Sequence, residues 1–520
     1  MVREDLSTMS SRDKETLLLL DIDKCPLHIL VIEGWHSPRV LKLKEGYKLI
    51  VGRRDVEADI NEGRYYGMFV DLLPLTILVR GDCIFFDRVQ LLALRRMVEE
   101  VLKFMVLNYR FMAAHILVHP IYLLYDYYRR KARTLLPFRS LYTYFSHLSL
   151  SKKAILEPKI LKSIKPLEEE ALVEVKNGLL SLTDHGMKKM LSSQPMFTHY
   201  MNLVKPLVGI FHIARSDMNL LLALQNLSLK LPLREEEEPR DLTFIETDLG
   251  LQPLNEEYEV KVRFLRISEH EDVKVRKLGG ILNTTYLVEK MTGERYVVKI
   301  FQEWTDVKWL PLMLWAIGSY FFDPLGKNRL INEYSMTRAL RSIGVKVPRI
   351  YHVSIDQKVI VKEYIEGDLL RDIIVRIARG KSTEEDEEMV YKSMSNIAYI
   401  HRKGIVLGDS NPNNVVLKDG EPFFLDLEQA RWSDKASWDV AMIIFFIAHH
   451  LSVVRFRRDS LEKLLNLIVD GYQEQGDIGV FDKALSLPYL RIYFLFSAPH
   501  SLYLTYRSMT KILKRRLASA

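Results

Sequence analysis

Cysteine is almost missing from this chain: Cys25 and Cys83 are the only two in 520 residues. Two thiols cannot build a disulfide framework, and the count fits a reducing, cytoplasmic setting. The opening stretch MVREDLSTMSSRDKE lacks an apolar core, so no signal peptide is expected. Long hydrophobic runs are scarce as well. Val307 to Phe322 is shorter than the roughly 20 residues of a spanning helix, and the apolar stretches 440–454 and 489–506 are interrupted by His449, His450, Arg491 and His500. All three read as core helices. The tryptophans Trp304, Trp309 and Trp315 keep a peripheral membrane contact through 304–322 open. An excess of one charge is also missing, with 74 basic against 67 acidic residues and a net charge of +7. That balance permits contact with phosphates or an anionic surface and demands neither. No solenoid repeat, low-complexity tract or Ser/His/Asp or Cys/His arrangement can be argued from spacing. The 48% hydrophobic and 27% charged residues exclude a disordered or fibrous chain, and the length allows two to four domains.

The clearest boundary is the charged run Arg234 to Arg240, with Pro239 inside it. The expected division is an α+β domain at 1–135, a helical region at 136–233, a linker at 234–258 and a further domain at 259–520. Strands are predicted at His28–Glu33, Tyr47–Val51, Met68–Leu73 and Thr76–Arg80, then a helical pattern from about Val89 to Lys131. His115 and His119 within it have the four-residue spacing of a zinc-binding helix, but the spacer holds no glutamate, and packing is the preferred reading. Leu172–Leu182 reads as two strands joined by Asn177-Gly178, a type I′ hairpin signal. Thr183 is then an N-cap for a helix through Leu191. This hairpin-then-helix resembles the wing of winged-helix domains. Nucleic acid is a less expected partner of this half, because basic charge is not concentrated there. The segments around Gly34, Asp71 and Asp87 loosely resemble small nucleotidyltransferase domains. Trp35 stands where such domains have serine, and the only Asp-x-Asp pair, Asp21/Asp23, precedes the strand, so the resemblance implies a domain that has lost its chemistry.

The second half is richer. A loop carrying Gly279, Gly280, Asn283 and Thr284 lies between predicted strands, and Lys299 sits on the strand Arg295–Phe301. Loop N–H groups and an ammonium together offer counter-charge to the phosphates of a nucleotide. Glu333 opens a helical run and can pair with Lys299. The strand Val359–Glu363 leads into Gly367 and is suited to present backbone groups to an adenine ring, with Glu363 at its end. Asp409 precedes Asn414 by five positions, and Asp426 follows the apolar Phe423-Phe424-Leu425. Phosphoryl transfer from ATP needs a carboxylate to orient the acceptor and take its proton, and an amide oxygen plus a second carboxylate to hold Mg²⁺. Asp409, Asn414 and Asp426 supply these types in the required order.

On these motifs residues 259–520 resemble the protein-kinase-like superfamily. The nearest branches are atypical: the RIO kinases, the small kinase of the KEOPS tRNA-modification complex, the lipopolysaccharide-core sugar kinases and the aminoglycoside phosphotransferases. The Gly-Asp-x-x-x-x-Asn of Gly408 to Asn414 matches their catalytic loop, with Leu407 in place of its histidine. The resemblance implies a two-lobed kinase-like fold, a small β-rich lobe plus a helical lobe, beside a separate α+β N-terminal region. It implies Lys299 on the phosphates, Glu333 as its partner, Asp409 as base, Asn414 and Asp426 as ligands of Mg²⁺ or Mn²⁺, and Asp439 as a buttress of the catalytic loop. Only thirteen positions separate Asp426 from Asp439, which leaves no room for an activation segment. The expected function is an ATP-dependent phosphotransferase acting on a protein serine or threonine. A small-molecule or lipid-linked sugar acceptor is the alternative, as is a catalytically silent scaffold. The aromatic segment 304–322 is expected to wall the acceptor side.

Overall fold

A computed structural model of the chain describes residues 15–21, 26–65, 67–134, 139–192, 242–254, 273–279, 283–303, 320–452, 456–494 and 497–519. The charged run 234–240, Gly280 and most of the aromatic segment, 304–319, lie outside the described residues. The chain divides into two compact units, Met1–Ile245 and Glu246–Ala520.

The first unit begins with β1 (Thr16–Leu20), β2 (Leu27–Ile32), β3 (Arg39–Lys42) and β4 (Tyr47–Gly52). Then come α1 (Arg53–Glu62), α2 (Met68–Leu72), β5 (Ile77–Arg80) and α3 (Cys83–Tyr109). The sheet order is β3-β4-β2-β1-β5, with β2 and β4 parallel. Met68–Leu73 is therefore not a strand over its length. All five residues of α2 are buried, so no alternation guides them, and the Asp59 carboxylate accepts from the N–H groups of Gly67 and Phe69, both at 2.9 Å, holding the chain in a helical turn.

The predicted helical stretch through Lys131 is also broken. After α3 come β6 (Ile116–Val118) and α4 (Pro120–Thr134). Arg110 adopts φ 48°, a left-handed conformation that ends α3. His115 and His119 thus flank a strand instead of sharing a helical face, which removes the zinc geometry. Next are α5 (Arg139–Ser146), α6 (Leu150–Glu169), β7 (Val173–Lys176), β8 (Leu179–Leu182) and α7 (Asp184–Ser192). The β7–β8 hairpin turns through Asn177 and Gly178 at φ 53° and 78°, as a type I′ turn requires. The Thr183 hydroxyl accepts from the Gly186 N–H at 2.9 Å and caps α7. Gly186 is required there, since any Cβ would run into the Leu172 carbonyl.

In this second sheet β6 lies between β8 and β9 (Thr243–Thr247). A division at 135/136 would cut through it, because β6 pairs with strands from both later segments. Nor is 234–258 simply a linker. β9 occupies 243–247, and β10 (Gly250–Pro253) follows it within the second unit.

The second unit's five-stranded antiparallel sheet has the order β11-β12-β13-β15-β14. Its strands are β11 (Val273–Gly279), β12 (Asn283–Lys290), β13 (Arg295–Phe301), β14 (Ile350–Ser354) and β15 (Val359–Glu363). Helix α8 (Gly326–Ser342) carries Glu333 between β13 and β14. A small core of Val288, Val298, Val359 and Val361 holds this β-rich lobe. A separate, larger core holds the helical lobe. It begins with β16 (Asp368–Leu369), α9 (Leu370–Ala378), α10 (Glu384–Arg402) and β17 (Ile405–Val406). It continues with β18 (Val415–Lys418), β19 (Glu421–Phe424), β20 (Arg431–Trp432) and α11 (Ala436–Leu451).

Helix α11 is buried on nearly every side, which accounts for the apolar run through Leu451 as core. The apolar stretch at 489–506 is divided between two helices, Leu487–Tyr493 and Pro499–Ser519. Among the described residues, no helix is long and apolar enough to cross a membrane.

Candidate active site

Lys299 stands on β13 opposite Ile360 of β15, with its side chain 6% exposed. Its ammonium meets three carboxylates: Asp426 at 2.6 Å, Glu428 at 2.9 Å and Glu333 at 3.4 Å. Burial works against the charged lysine. The charges of Asp426, Glu333 and Glu428 outweigh it and hold the ammonium well above its ordinary range. The same pairing pulls Asp426 below its usual range against the effect of burial. Glu333 is fully buried, also meets Lys362, and accepts from the Leu427 N–H at 2.9 Å. Lys299, Lys362 and Arg329 thus face Glu333, Asp426 and Glu428, three cations against three carboxylates.

The loop 407–414 is held from behind by Asp439. Its carboxylate accepts from the N–H groups of Leu407 (2.6 Å) and Gly408 (2.8 Å) and meets His401 Nε2 at 2.9 Å. The Trp438 indole donates to the Gly408 carbonyl at 2.8 Å. Gly408 has φ +74°, and a Cβ there would strike the Tyr320 hydroxyl and the Gln429 carbonyl. Only glycine fits. Tyr320, at the end of the aromatic segment, stacks on Trp438 with ring centroids 5.0 Å apart and its hydroxyl lies beside Gly408, so that end of the segment packs against the loop 407–414. Phe321 beside it is exposed.

Asp409 is half-buried, and the Asn414 amide donates to its carbonyl at 3.0 Å. Burial, then the nearby Asp426 charge, pushes the Asp409 carboxyl up to about 7. Asp426 lies two residues beyond the end of β19, and its side chain is one-third exposed. Asn414 and Asp426 offer an amide oxygen and a carboxylate, the hard oxygen donors that Mg²⁺ takes.

The other predicted site residues divide. Asn283 lies within the cluster, donating to Glu428 at 2.6 Å and accepting from Arg329 at 2.6 Å. Thr284 accepts from the Gln302 amide at 2.7 Å, and Gly279 ends β11. Glu363 points elsewhere. Strand alternation sends Lys362 to Glu333 and turns Glu363 to the opposite face, where it lines a cavity of about 670 Å³ with Tyr296, Tyr351 and Tyr364. Its side chain is therefore not gathered with Lys299; its backbone alone remains for the adenine role. Sequence reasoning missed Glu428, Arg329 and Lys362. The available signal was a charge inside an apolar pattern: Lys362 follows Val359-Ile360-Val361, and all three side chains are buried.

The fold and these residues define a two-lobed kinase-like unit. Residues 327–444 match the RIO domain family. The KEOPS complex subunit Bud32 of Pyrococcus abyssi is 32% identical over 110 residues, covering 21% of this chain and 48% of that protein. A probable bifunctional tRNA threonylcarbamoyladenosine biosynthesis protein of Methanobrevibacter smithii is 28% identical over 148 residues, 28% of this chain and 25% of that one. The chain thus spans about half and a quarter of these relatives' lengths. The solved amicoumacin kinase hAmiN, in complex with AMP-PNP, Ca²⁺ and Ami, aligns over 50% of this chain and 94% of its own at 12% identity, with a TM-score of 0.26. The RIO domain and Bud32 matches support a likeness of the second unit, in which residues 327–444 lie, to the atypical protein-kinase-like superfamily.

Proposed function

We propose that the second unit transfers the γ-phosphate of ATP to a hydroxyl group, with a protein serine or threonine as the favoured acceptor. The observation that carries this is Lys299 fixed among Glu333, Asp426 and Glu428, in a unit whose loop 407–414 supplies Asp409 and Asn414. Lys299 would bind the phosphates. Asn414 and Asp426 would hold Mg²⁺ or Mn²⁺, whose charge offsets that of the phosphates when bound. Asp409, a carboxyl poised near neutrality, would orient the acceptor hydroxyl and take its proton as the new O–P bond forms and the bond to the leaving ADP oxygen breaks. The likeness to a KEOPS complex subunit supports work within a protein complex, and the likeness to a probable tRNA threonylcarbamoyladenosine biosynthesis protein supports a link to tRNA modification. A small hydroxyl acceptor is the second reading, favoured by exposed Phe321 at the catalytic-loop end of the aromatic segment.

The test is Asp409→Ala. Transfer, including autophosphorylation, should fall by at least about a hundredfold while AMP-PNP still binds. Undiminished transfer by the variant overturns the mechanism.

A further inference from the structure

Glu428 stands two residues beyond Asp426, and it differs from the other two carboxylates around Lys299. Both its oxygens are occupied. Oε2 receives Lys299 at 2.9 Å and the Asn283 amide at 2.6 Å, while Oε1 receives Arg329 at 3.1 Å. Asn283 closes the ring, because its own oxygen accepts from Arg329 at 2.6 Å. Arg329 is 0% exposed and also donates to the Gln302 carbonyl, so its guanidinium is fixed. Asn332 binds the chain beside this carboxylate, donating to the Glu428 carbonyl at 2.9 Å. Four parts of the unit meet here, from both lobes: the start of β12, β13, α8 and the segment after β19.

We propose that Glu428, with Arg329 and Asn283, is a positioning residue of the nucleotide site, holding Lys299 and the phosphate-loop strand in place independently of the metal. This rests on the phosphotransferase reading. A metal-ligand role fits Glu428 poorly, since three donors already fill its oxygens and two of them are cations. Asp426 is the carboxylate with a third of its side chain open to solvent. Glu333 divides its charge between Lys299 and Lys362 and lies farther from Lys299 than Glu428 does. Glu428 is thus the nearest buried anchor of the lysine. It also ties the lysine to the strand that follows the glycine loop, which would register phosphates and ammonium to each other.

The experiment is calorimetric titration of the full chain with AMP-PNP, with and without Mg²⁺. Glu428→Gln should weaken binding about tenfold in both conditions, in line with the loss of a charged hydrogen-bond partner. Asp426→Asn, which also removes the proposed metal ligand, should weaken it most when Mg²⁺ is present. Glu428→Gln leaves Arg329 without its carboxylate and can compromise folding, so Asn283→Ala provides the second variant. It keeps every charge paired and removes only the tether. Binding should fall several-fold, and in the ligand-free chain hydrogen exchange along Asn283–Lys290 should quicken. Two results overturn the inference alone: wild-type affinity in both variants, or a Glu428→Gln defect confined to Mg²⁺, which would make Glu428 a metal ligand. A wild-type chain that fails to bind AMP-PNP overturns the phosphotransferase reading as well.

Discussion

Each unit sets a lysine against an aspartate, and the two pairs are built differently. In the first, Lys131 meets Asp71 at 2.5 Å, Tyr127 donates to the same carboxylate at 2.6 Å, and Tyr128 donates to the Asp71 carbonyl at 2.9 Å. There a single Asp71 carboxylate oxygen takes both the lysine and the Tyr127 hydroxyl. Burial pushes Asp71 up to about 6, with Lys131 resisting. In the second, Lys299 is one of three cations facing three carboxylates, and Asp409 is a fourth acid near them. A closed pair of the first kind suits a core. A carboxylate-rich cluster with a partly exposed aspartate suits a site that receives a cation and phosphates.

Removing the two lysines should therefore have unequal results. Lys299→Met leaves buried carboxylates without their shared cation. It should cost about 3–5 kcal/mol of stability, as broken buried pairs do, and abolish measurable AMP-PNP binding. Lys131→Met removes the charge that resists burial, so Asp71 can take up a proton near neutral pH instead of remaining an unpaired anion; the cost should be about 1–2 kcal/mol, with nucleotide affinity unchanged. Denaturant unfolding and calorimetry on both variants make the check, and equal effects on nucleotide binding would break the comparison.

Glycine substitutions sharpen it. Gly408→Ala places a methyl against Gln429 and Tyr320 in a left-handed backbone, and Gly186→Ala places one against the Leu172 carbonyl. Each should destabilise its unit by about 3 kcal/mol, but only Gly408→Ala should also reduce phosphoryl transfer.

Acid should act in opposite directions through two buried groups, Asp71 in the first unit and His352 in the second. The folded Asp71 carboxyl, at about 6 against an ordinary 3.8, holds a proton between those values that the unfolded chain has released. Its contribution therefore rises as pH falls through that window, by on the order of 2–3 kcal/mol. Burial holds His352 down to about 4 from 6.5, so there the unfolded chain binds the extra proton. That contribution is lost as pH falls from 6.5 towards 4. Hydrogen exchange resolved by unit, compared with wild type, should show the Asp71 gain in acid removed from the first unit by Asp71→Asn and the His352 loss in acid removed from the second by His352→Gln. The smallest effect expected is Thr183→Ala, about 1 kcal/mol through the lost cap of α7, read from the same exchange data.

Local signals made much of this legible. The Asn177-Gly178 hairpin and the Thr183 cap each depend on a few neighbouring residues, and both occur as predicted. Met68–Leu72 did not announce a helix, because the groups that hold its turn include the Asp59 carboxylate, contributed from α1. His115 and His119 had helical spacing, yet the strand Ile116–Val118 between them pairs with residues more than sixty positions away. Tertiary pairing there overrode local periodicity.

The sequence by itself determined the order of chemical groups, Lys299, Glu333, Asp409, Asn414 and Asp426, because each belongs to a short element that its neighbours specify. Tertiary structure alone decided how the charges are shared. Asn283 reaches Glu428 across 145 positions and Arg329 reaches it across 99, separations that leave no period or motif in the chain. Burial then makes those contacts matter, because a charge withdrawn from water must find its partners wherever the fold brings them.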